Sequence, residues 1–303
     1  MVAPVVVLLG PTAVGKTELS LDLASALNAE IVNVDSMQLY QGMDIGTAKL
    51  PMSQRRGIPH HLLDVWPITY SANVAEFQKA GRKVIAEIQS RGKNALLVGG
   101  SGLFIQALLE DLQFPASDDG IRQRLIQEAS DLGISVLYER FMKFAPDAAR
   151  RVLPTNERRV IRALEVIELT GQAPTTQLGP LPQVIPSIRI GLTRNRPDLD
   201  SRIEQRVAQM WDEGLVREVQ RLADQGLRDG KTASKALGYA QVLSALDGLC
   251  SLDQAKENTV VATRKFARRQ ESWFKRDSSI KWLEATTTSV AEVCALVQNP
   301  TSS

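Results

Sequence analysis

Two cysteines are all that 303 residues contain, and Cys250 and Cys294 lie far apart with no C-x-x-C partner. That excludes a disulfide framework and argues against a cysteine-built zinc site. Histidine is as scarce: the only pair is His60–His61. Adjacent side chains in extended backbone point to opposite faces. With no further ligand in sight, these two are expected to hydrogen-bond beneath a site rather than hold a metal. No apolar run approaches the ~20 residues of a membrane span, and the N-terminus shows no basic leader or cleavage pattern. A globular chain in the cytosol, without a membrane partner, is the expectation. Charge of one sign is nearly absent in sum, with a formal net charge of +2. Locally it is not: "ARRVLPTNERRVIRA" and "TRKFARRQESWFKR" are strongly basic. Such clusters on a near-neutral chain fit a polyanion bound on one face.

The most informative stretch is "VVVLLGPTAVGKTELSLDLA". Its Gly10–Thr17 segment fits G-x-x-x-x-G-K-[ST] at every fixed position, between an apolar strand and a helical pattern in which Leu19, Leu23, Ala24 and Leu27 share a face. In such a loop the backbone N–H groups of Gly10, Pro11 (which lacks one), Thr12, Ala13, Val14 and Gly15 wrap a diphosphate at a helix N-terminus. Lys16 adds charge, and the Thr17 hydroxyl can hold Mg²⁺. "AEIVNVDS" reads as a second strand ending at Asp35, and "NALLVGGSG" as a third. A helix, "VAEFQKAGRKVIAEIQSRGK", lies between them. This alternation predicts an α/β fold: a P-loop NTPase-like parallel sheet flanked by helices. In such sheets ligands sit at the carboxyl ends of strands, where Gly10–Thr17, Asp35–Ser36 and Gly99–Ser101 would converge.

From 118 to about 170 the pattern is only helical, which predicts a small all-helical insertion domain, 118–185, within a catalytic core made of 1–117 and 186–303. The Pro/Gly-rich segment 171–187 would be its hinge. After it "SIRIGL" restores a strand, and helices are expected from there on. One usual component is missing. P-loop NTPases place a metal-holding acid at the end of another strand, whereas "NALLVGG" ends in glycines and Ser101. The acid stands instead at Asp35. ATP hydrolysis is thereby disfavoured; diphosphate binding is not, and the diphosphate could be a leaving group.

GPTAVGKT, "VDSMQLYQGMDIGTAK", "PHHLLD", "LVGGSGLF", "ERRVIRALEV", "SRIEQRVAQMWDEGL", "KALGYAQ" and "ATRKFARRQESWFKR" occur in this order along nearly the whole chain. In that order and spacing they resemble the tRNA dimethylallyltransferases, also called tRNA isopentenyltransferases. The resemblance implies transfer of a dimethylallyl group from dimethylallyl diphosphate to N6 of the adenosine 3′ of the anticodon in tRNA, with diphosphate released and Mg²⁺ as cofactor. It assigns Gly15, Lys16, Thr17 and Arg202 to the diphosphate, with Thr12 as a further contact. Asp35 would accept the amine proton, and Ser101, where many relatives carry Thr, would bond the target adenine. Phe104 replaces a more usual Tyr.

The same resemblance places tRNA contacts at Asp35, Ser36, Met37, Gln38 and Ser101 around the base, and at Arg122 and Arg158, Arg159, Val160, Ile161, Arg162 on the anticodon stem-loop. A third segment is Lys235, Ala236, Leu237, Gly238, Tyr239, Ala240, where Ala240 departs from a basic or polar residue. Arg264, Arg268 and Arg269 are expected on the RNA face. Trp211, Trp273 and Trp282 read as core. A monomer is expected. Two other activities share the phosphate loop. A prenyltransferase for free AMP would need no RNA face, and a small-molecule kinase would need the metal acid; a nucleotide-binding module without chemistry would leave Asp35, Ser101 and Arg202 idle.

Overall fold

The computed structural model describes residues 4–115, 117–173 and 181–298. It divides into two compact units, 1–111 with 182–303, and 112–181. In the larger unit six strands form one parallel sheet in the order β3-β2-β4-β1-β5-β6. They are β1 (Val5–Leu9), β2 (Ala29–Asn33), β3 (His60–His61), β4 (Asn94–Gly99), β5 (Ser187–Thr193) and β6 (Lys281–Glu284). Between them run α1 (Lys16–Ala26), α2 (Val74–Ser90) and α3 (Gly102–Leu109).

β1 is buried at every position, as a central strand covered on both faces must be. Its alternation divides the core. Val5, Val7 and Leu9 pack with Phe77, Ile85 and Ile88 of α2 and with Leu108 of α3. Val6 and Leu8 face the other way, with Leu21 and Leu23 of α1 and Ile190 of β5. Each such fully buried side chain stabilises by about 1.5–3 kcal/mol relative to exposure. Because the strands are parallel, the carboxyl ends of β1, β2, β4 and β5 share one edge. Loop 10–15, Asp35, the glycine turn 99–101 and Arg194 all leave the sheet there.

The smaller unit holds α4 (Asp119–Leu132), α5 (Ile134–Phe144), a single turn α6 (Pro146–Ala149) and α7 (Glu157–Thr170). Leu125, Leu137, Phe141, Val160, Ile161 and Leu164 form its own core. Asp118 and Asn156 cap α4 and α7 by accepting from Ile121 and Arg159 N–H. In the larger unit follow α8 (Arg196–Glu213), α9 (Leu215–Asp224), α10 (Tyr239–Leu246), the long α11 (Leu252–Phe274) and α12 (Val290–Gln298).

Three expectations change: the unit boundaries, the wholly helical chain beyond β5 and the place of Trp282. The unit boundary falls at 111/112 and 181/182 rather than 117/118 and 185/186. The reason is that Asp111 N–H donates to Pro182 O at 2.9 Å and Val184 N–H to Leu109 O at 2.8 Å, tying 182–185 to the sheet-bearing unit. The hinge assigned to 171–187 falls partly on 174–180, outside the described residues. Beyond β5 the chain is not wholly helical: Lys281–Glu284 adds an edge strand to β5. Trp282 sits on that strand and is 36% exposed, so it is not core. Trp211 and Trp273 are half-buried against two apolar clusters.

Candidate active site

The phosphate loop follows β1 directly. Gly15, at φ 117°, starts α1 in a backbone conformation that L side chains rarely adopt, and no side chain caps the helix. Its first N–H groups are thus left for an anion. Lys16 Nζ donates to Gly10 O at 3.0 Å and to Pro11 O at 2.7 Å, folding back over the loop. Burial of the ammonium, and next the charge of Arg206, pull its pKa down to about 7.

Three arginines close on the same loop from beyond β5. Arg194 Nε donates to Val14 O at 3.3 Å, Arg202 Nε to Ala13 O at 2.9 Å and Arg206 to Thr12 Oγ1 at 3.3 Å. Arg202 and Arg206 are one helical turn apart on α8, hence on one face. Burial, then its neighbour Arg202, lowers the Arg206 pKa from the usual guanidinium value. Arg194 is ion-paired with Asp198. Lys16, Arg202 and Arg206 remain as a concentration of positive charge around backbone donors, which is what a diphosphate requires.

Asp35 stands opposite. Burial raises its pKa, against the opposing effects of Met37 N–H, Lys16 and Arg206. The carboxylate accepts from Met37 N–H at 2.9 Å. Beneath it the buried Asn33 fixes the turn: its Oδ1 accepts from Asp35 N–H at 2.9 Å and its Nδ2 donates to Leu62 O at 2.9 Å. Ser101, at the end of the β4 turn, accepts from Ser36 N–H at 3.3 Å, which joins the two strand ends.

Two clefts meet at this point. The smaller, about 110 Å³, is lined by Thr12, Gly15, Lys16, Thr17, His60 and Gly100 among others. The larger, about 270 Å³, has a more apolar lining with Met37, Val207, Met210, Leu237 and Phe266, and carries Lys235 and Arg269 at its wall. Thr12, Asp35, Thr47, Ala48 and Arg206 line both. A polar anion cradle and an apolar chamber thus share a carboxylate and an arginine.

The sites expected from the sequence divide by burial. Gly10, Pro11, Thr12, Ala13, Val14, Gly15, Lys16, Thr17, Asp35, Ser36, Met37, Gln38, Ser101 and Arg202 gather at this edge. Val14 is wholly buried and Ala13 nearly so, which leaves their backbone as what the loop can offer a ligand. In the smaller unit Arg158 and Arg159 are exposed. Val160 and Ile161, expected to touch RNA, are instead core residues at 0% and 5% exposure: their apolar side chains fill the helix's inner face. Arg122 and Arg162 both pair with Glu165, whose carboxylate is fully buried. Arg122 does so through two nitrogens at 2.9–3.2 Å, and this ion pair occupies the fork expected to face RNA.

In 235–240, Lys235 is exposed and Leu237 lines the larger cleft. Ala236 and Tyr239 are buried at 2% and 0%, and Gly238 is buried with them. Tyr239 Oη donates to Glu218 at 2.5 Å, so Gly238 and Tyr239 are internal and not RNA contacts, whereas Ala236, though buried, lines the larger cleft beside Leu237. Arg264 is ion-paired with Glu204, whereas Arg268 and Arg269 are exposed. Phe104 packs on Phe77 with ring centroids 4.4 Å apart. His60 bonds Ile58 O and lines the smaller cleft, and His61 bonds Glu30.

Sequence reasoning missed Arg206 and Gln270. Arg206 had a signal, its i+4 spacing from Arg202. Gln270 had none amid a basic run. Magnesium commonly binds through one or two protein oxygens plus phosphates and water. Thr17, exposed on the first turn of α1 and lining the smaller cleft, fits that role. Among the described residues no group of three or more His, Cys, Asp or Glu could hold a metal.

A family model described as IPP transferase matches residues 38–277. The chain belongs to that family. A protein of Thermobifida fusca (strain YX) named tRNA dimethylallyltransferase is 55% identical over 284 residues, 92% of this chain and 89% of that one. One from Streptomyces coelicolor with the same name is 51% identical over 92% of this chain and 89% of its own length. Among solved structures, the tRNA isopentenylpyrophosphate transferase of Bacillus halodurans is 37% identical, with a TM-score of 0.72 over 97% of this chain and 94% of that one. A eukaryotic dimethylallyltransferase described as acting on tRNA superposes with a TM-score of 0.83 at 26% identity, over 98% and 79%. The IPP transferase family is thus matched in sequence and fold together.

Proposed function

We propose that this chain transfers a dimethylallyl group from dimethylallyl diphosphate to N6 of the adenosine 3′-adjacent to the anticodon in tRNA, releasing diphosphate. The observation that carries this reading is the wall shared by the two clefts. Asp35 and Arg206 stand between an anion cradle and an apolar chamber, where a bond between a diphosphate and a hydrocarbon would lie.

An adenine amine is a weak nucleophile, so the step depends on the leaving group. The allylic C–O bond breaks, N6 forms the new bond to that carbon, and the electron pair leaves with diphosphate. Lys16, Arg202, Arg206 and the loop N–H groups stabilise the charge that develops there. Magnesium, when bound at Thr17 and the phosphates, would add Lewis-acid neutralisation of the same charge. Asp35 takes the proton that N6 loses; burial raises its pKa toward the range in which a carboxylate is an effective base. Ser101 beside Ser36 holds the base edge. The target nucleotide is flipped into the larger cleft, as enzymes acting on stacked bases require.

The helical unit supports tRNA through the exposed Arg158 and Arg159, with Lys235, Arg268 and Arg269 on the larger unit. Binding by such groups is largely a matter of phosphate charge. Among the described residues no helix is long and apolar enough to cross a membrane; a monomer working in the cytosol completes the proposal.

The test is purified protein with Mg²⁺, labelled dimethylallyl diphosphate and either unmodified tRNA or AMP. Label in tRNA alone, lost in Asp35→Ala, supports the reading. Label in AMP reassigns the chain to free-nucleotide prenylation. Phosphoryl transfer from ATP to a small-molecule acceptor, with no prenyl label in tRNA or AMP, makes it a kinase.

A further inference from the structure

One side chain spans the two halves of the site without lining the larger cleft. Gln270, on α11, is 6% exposed and uses both ends of its amide. Its Oε1 accepts from Thr12 N–H at 2.9 Å, and its Nε2 donates to Gly100 O at 2.9 Å. Thr12 belongs to the cradle, and its hydroxyl also accepts from Arg206. Gly100 precedes Ser101, whose hydroxyl accepts from Ser36 N–H beside Asp35. The contact with the glycine turn is close: a Cβ added at Gly100 would lie 2.1 Å from Gln270 Nε2. Only a glycine lets the amide approach.

We propose that Gln270 is a positioning residue that sets the distance between the leaving-group cradle and the acceptor side, Ser101 with Asp35. This rests on the transferase reading above. Thr12 N–H points at the amide rather than at a ligand, so Gln270 withdraws one loop donor from phosphate binding and spends it on alignment. In-line transfer is sensitive to displacements of about 1 Å, which can cost ~10²-fold. A carboxamide is also the one side chain of this length that satisfies a donor and an acceptor at once. Glutamate would keep the Thr12 contact and turn a carboxylate oxygen on Gly100 O.

The experiment compares wild type, Gln270→Glu, Gln270→Ala, Gly100→Ala and the Gln270→Ala/Gly100→Ala double variant. Three quantities are read: single-turnover transfer to tRNA, the Kd for inorganic pyrophosphate, and the thermal melt. The expected result is transfer slowed by about 10–100-fold in each single variant, with pyrophosphate Kd within about threefold of wild type. The double variant should lose less than the two single losses combined, because removing the amide relieves the 2.1 Å clash and leaves the new Cβ only a 3.1 Å approach to Gly10 O. Unchanged transfer in Gln270→Glu overturns the proposal. So does a loss of pyrophosphate affinity that parallels the loss of rate, since that makes Gln270 a support of the cradle only. If a Gln270 variant melts without cooperativity, Gly100→Ala decides, because it displaces the amide while retaining the glutamine side chain. Wild type that transfers nothing to tRNA refutes the functional reading itself and takes the proposal with it; wild type that transfers while the variants match it refutes the proposal alone.

Discussion

Glu218 of α9 is 7% exposed and receives four donors. Its Oε2 accepts from Asp44 N–H at 3.2 Å and Ile45 N–H at 2.9 Å; its Oε1 accepts from Gly46 N–H at 3.3 Å and Tyr239 Oη at 2.5 Å. Burial, and next the Glu218 charge, push the Tyr239 phenol pKa far up, so it stays a donor throughout the accessible pH range. The clamp holds loop 44–48, whose Thr47 and Ala48 enter the walls of both clefts. Glu218→Gln conserves shape and leaves a single acceptor oxygen. In either amide orientation two donors keep a partner and two face an NH₂ group. Hydrogen bonds to a charged acceptor contribute about 1.5–3 kcal/mol each. The exposed Asp44 can recover water, so the expected net loss is about 2–3 kcal/mol. For a domain of this size that lowers the melting temperature by roughly 4–10 °C. Scanning calorimetry measures it, with tRNA transfer followed alongside. Tyr239→Phe removes one donor from the same carboxylate, and its effect should add to that of Glu218→Gln less than fully. A Glu218→Gln protein that melts within about 1 °C of wild type and transfers normally refutes the idea that this carboxylate organises the cleft wall.

Asp35→Asn should retain pyrophosphate binding and slow transfer by ~10²–10⁴-fold, the usual range for a lost general base; an unchanged single-turnover rate removes Asp35 from that role. Pyrophosphate binding near pH 8 should take up more protons in wild type than in Lys16→Met. With its pKa at about 7, Lys16 is then largely neutral, and a bound polyanion favours the ammonium. Calorimetry in two buffers of different ionisation enthalpy counts the protons exchanged for each protein, and the ligand's own ionisation is common to both; equal counts for wild type and Lys16→Met exclude uptake at Lys16. The folding sign is the converse. Between that value and the 10.5 of an exposed lysine the unfolded chain holds a proton the folded chain lacks, so wild type gains stability relative to Lys16→Met as pH rises through this window. Arg158→Ala and Arg159→Ala should each reduce the salt slope of tRNA binding by about 1 without changing the melt. Arg122→Ala should lower the melting temperature, because it removes a bidentate partner from the buried Glu165; equal behaviour of all three variants would contradict the division drawn from their burial.

What was legible in the sequence was local. Gly10–Thr17 carries its geometry in eight consecutive residues, and the strand ends at Asp35 and Gly99 follow from short apolar runs. The residues missed act across long separations: Gln270 and Arg206 lie 258 and 194 positions from Thr12, and no periodicity reports such a contact. β3 and β6, with two and four residues, are too short for alternation to register.

The errors within recognised segments have a different cause. The resemblance makes "ERRVIRALEV" and "KALGYA" uniform contact surfaces, although their composition argues otherwise. In the first, Val160, Ile161, Leu164 and Ile167 mark a helix face turned inward, which leaves Arg158 and Arg159 outside. In the second, Ala236 and Tyr239 pack with Leu215 and Val242, which leaves Lys235 at the surface. A motif recognised as a whole thus contains two kinds of residue under different physical constraints. Its charges can meet a ligand, because burying them unpaired would cost too much. Its apolar residues hold the segment at the angle from which those charges act, so substituting them should change folding and alignment before it changes affinity for the nucleic acid.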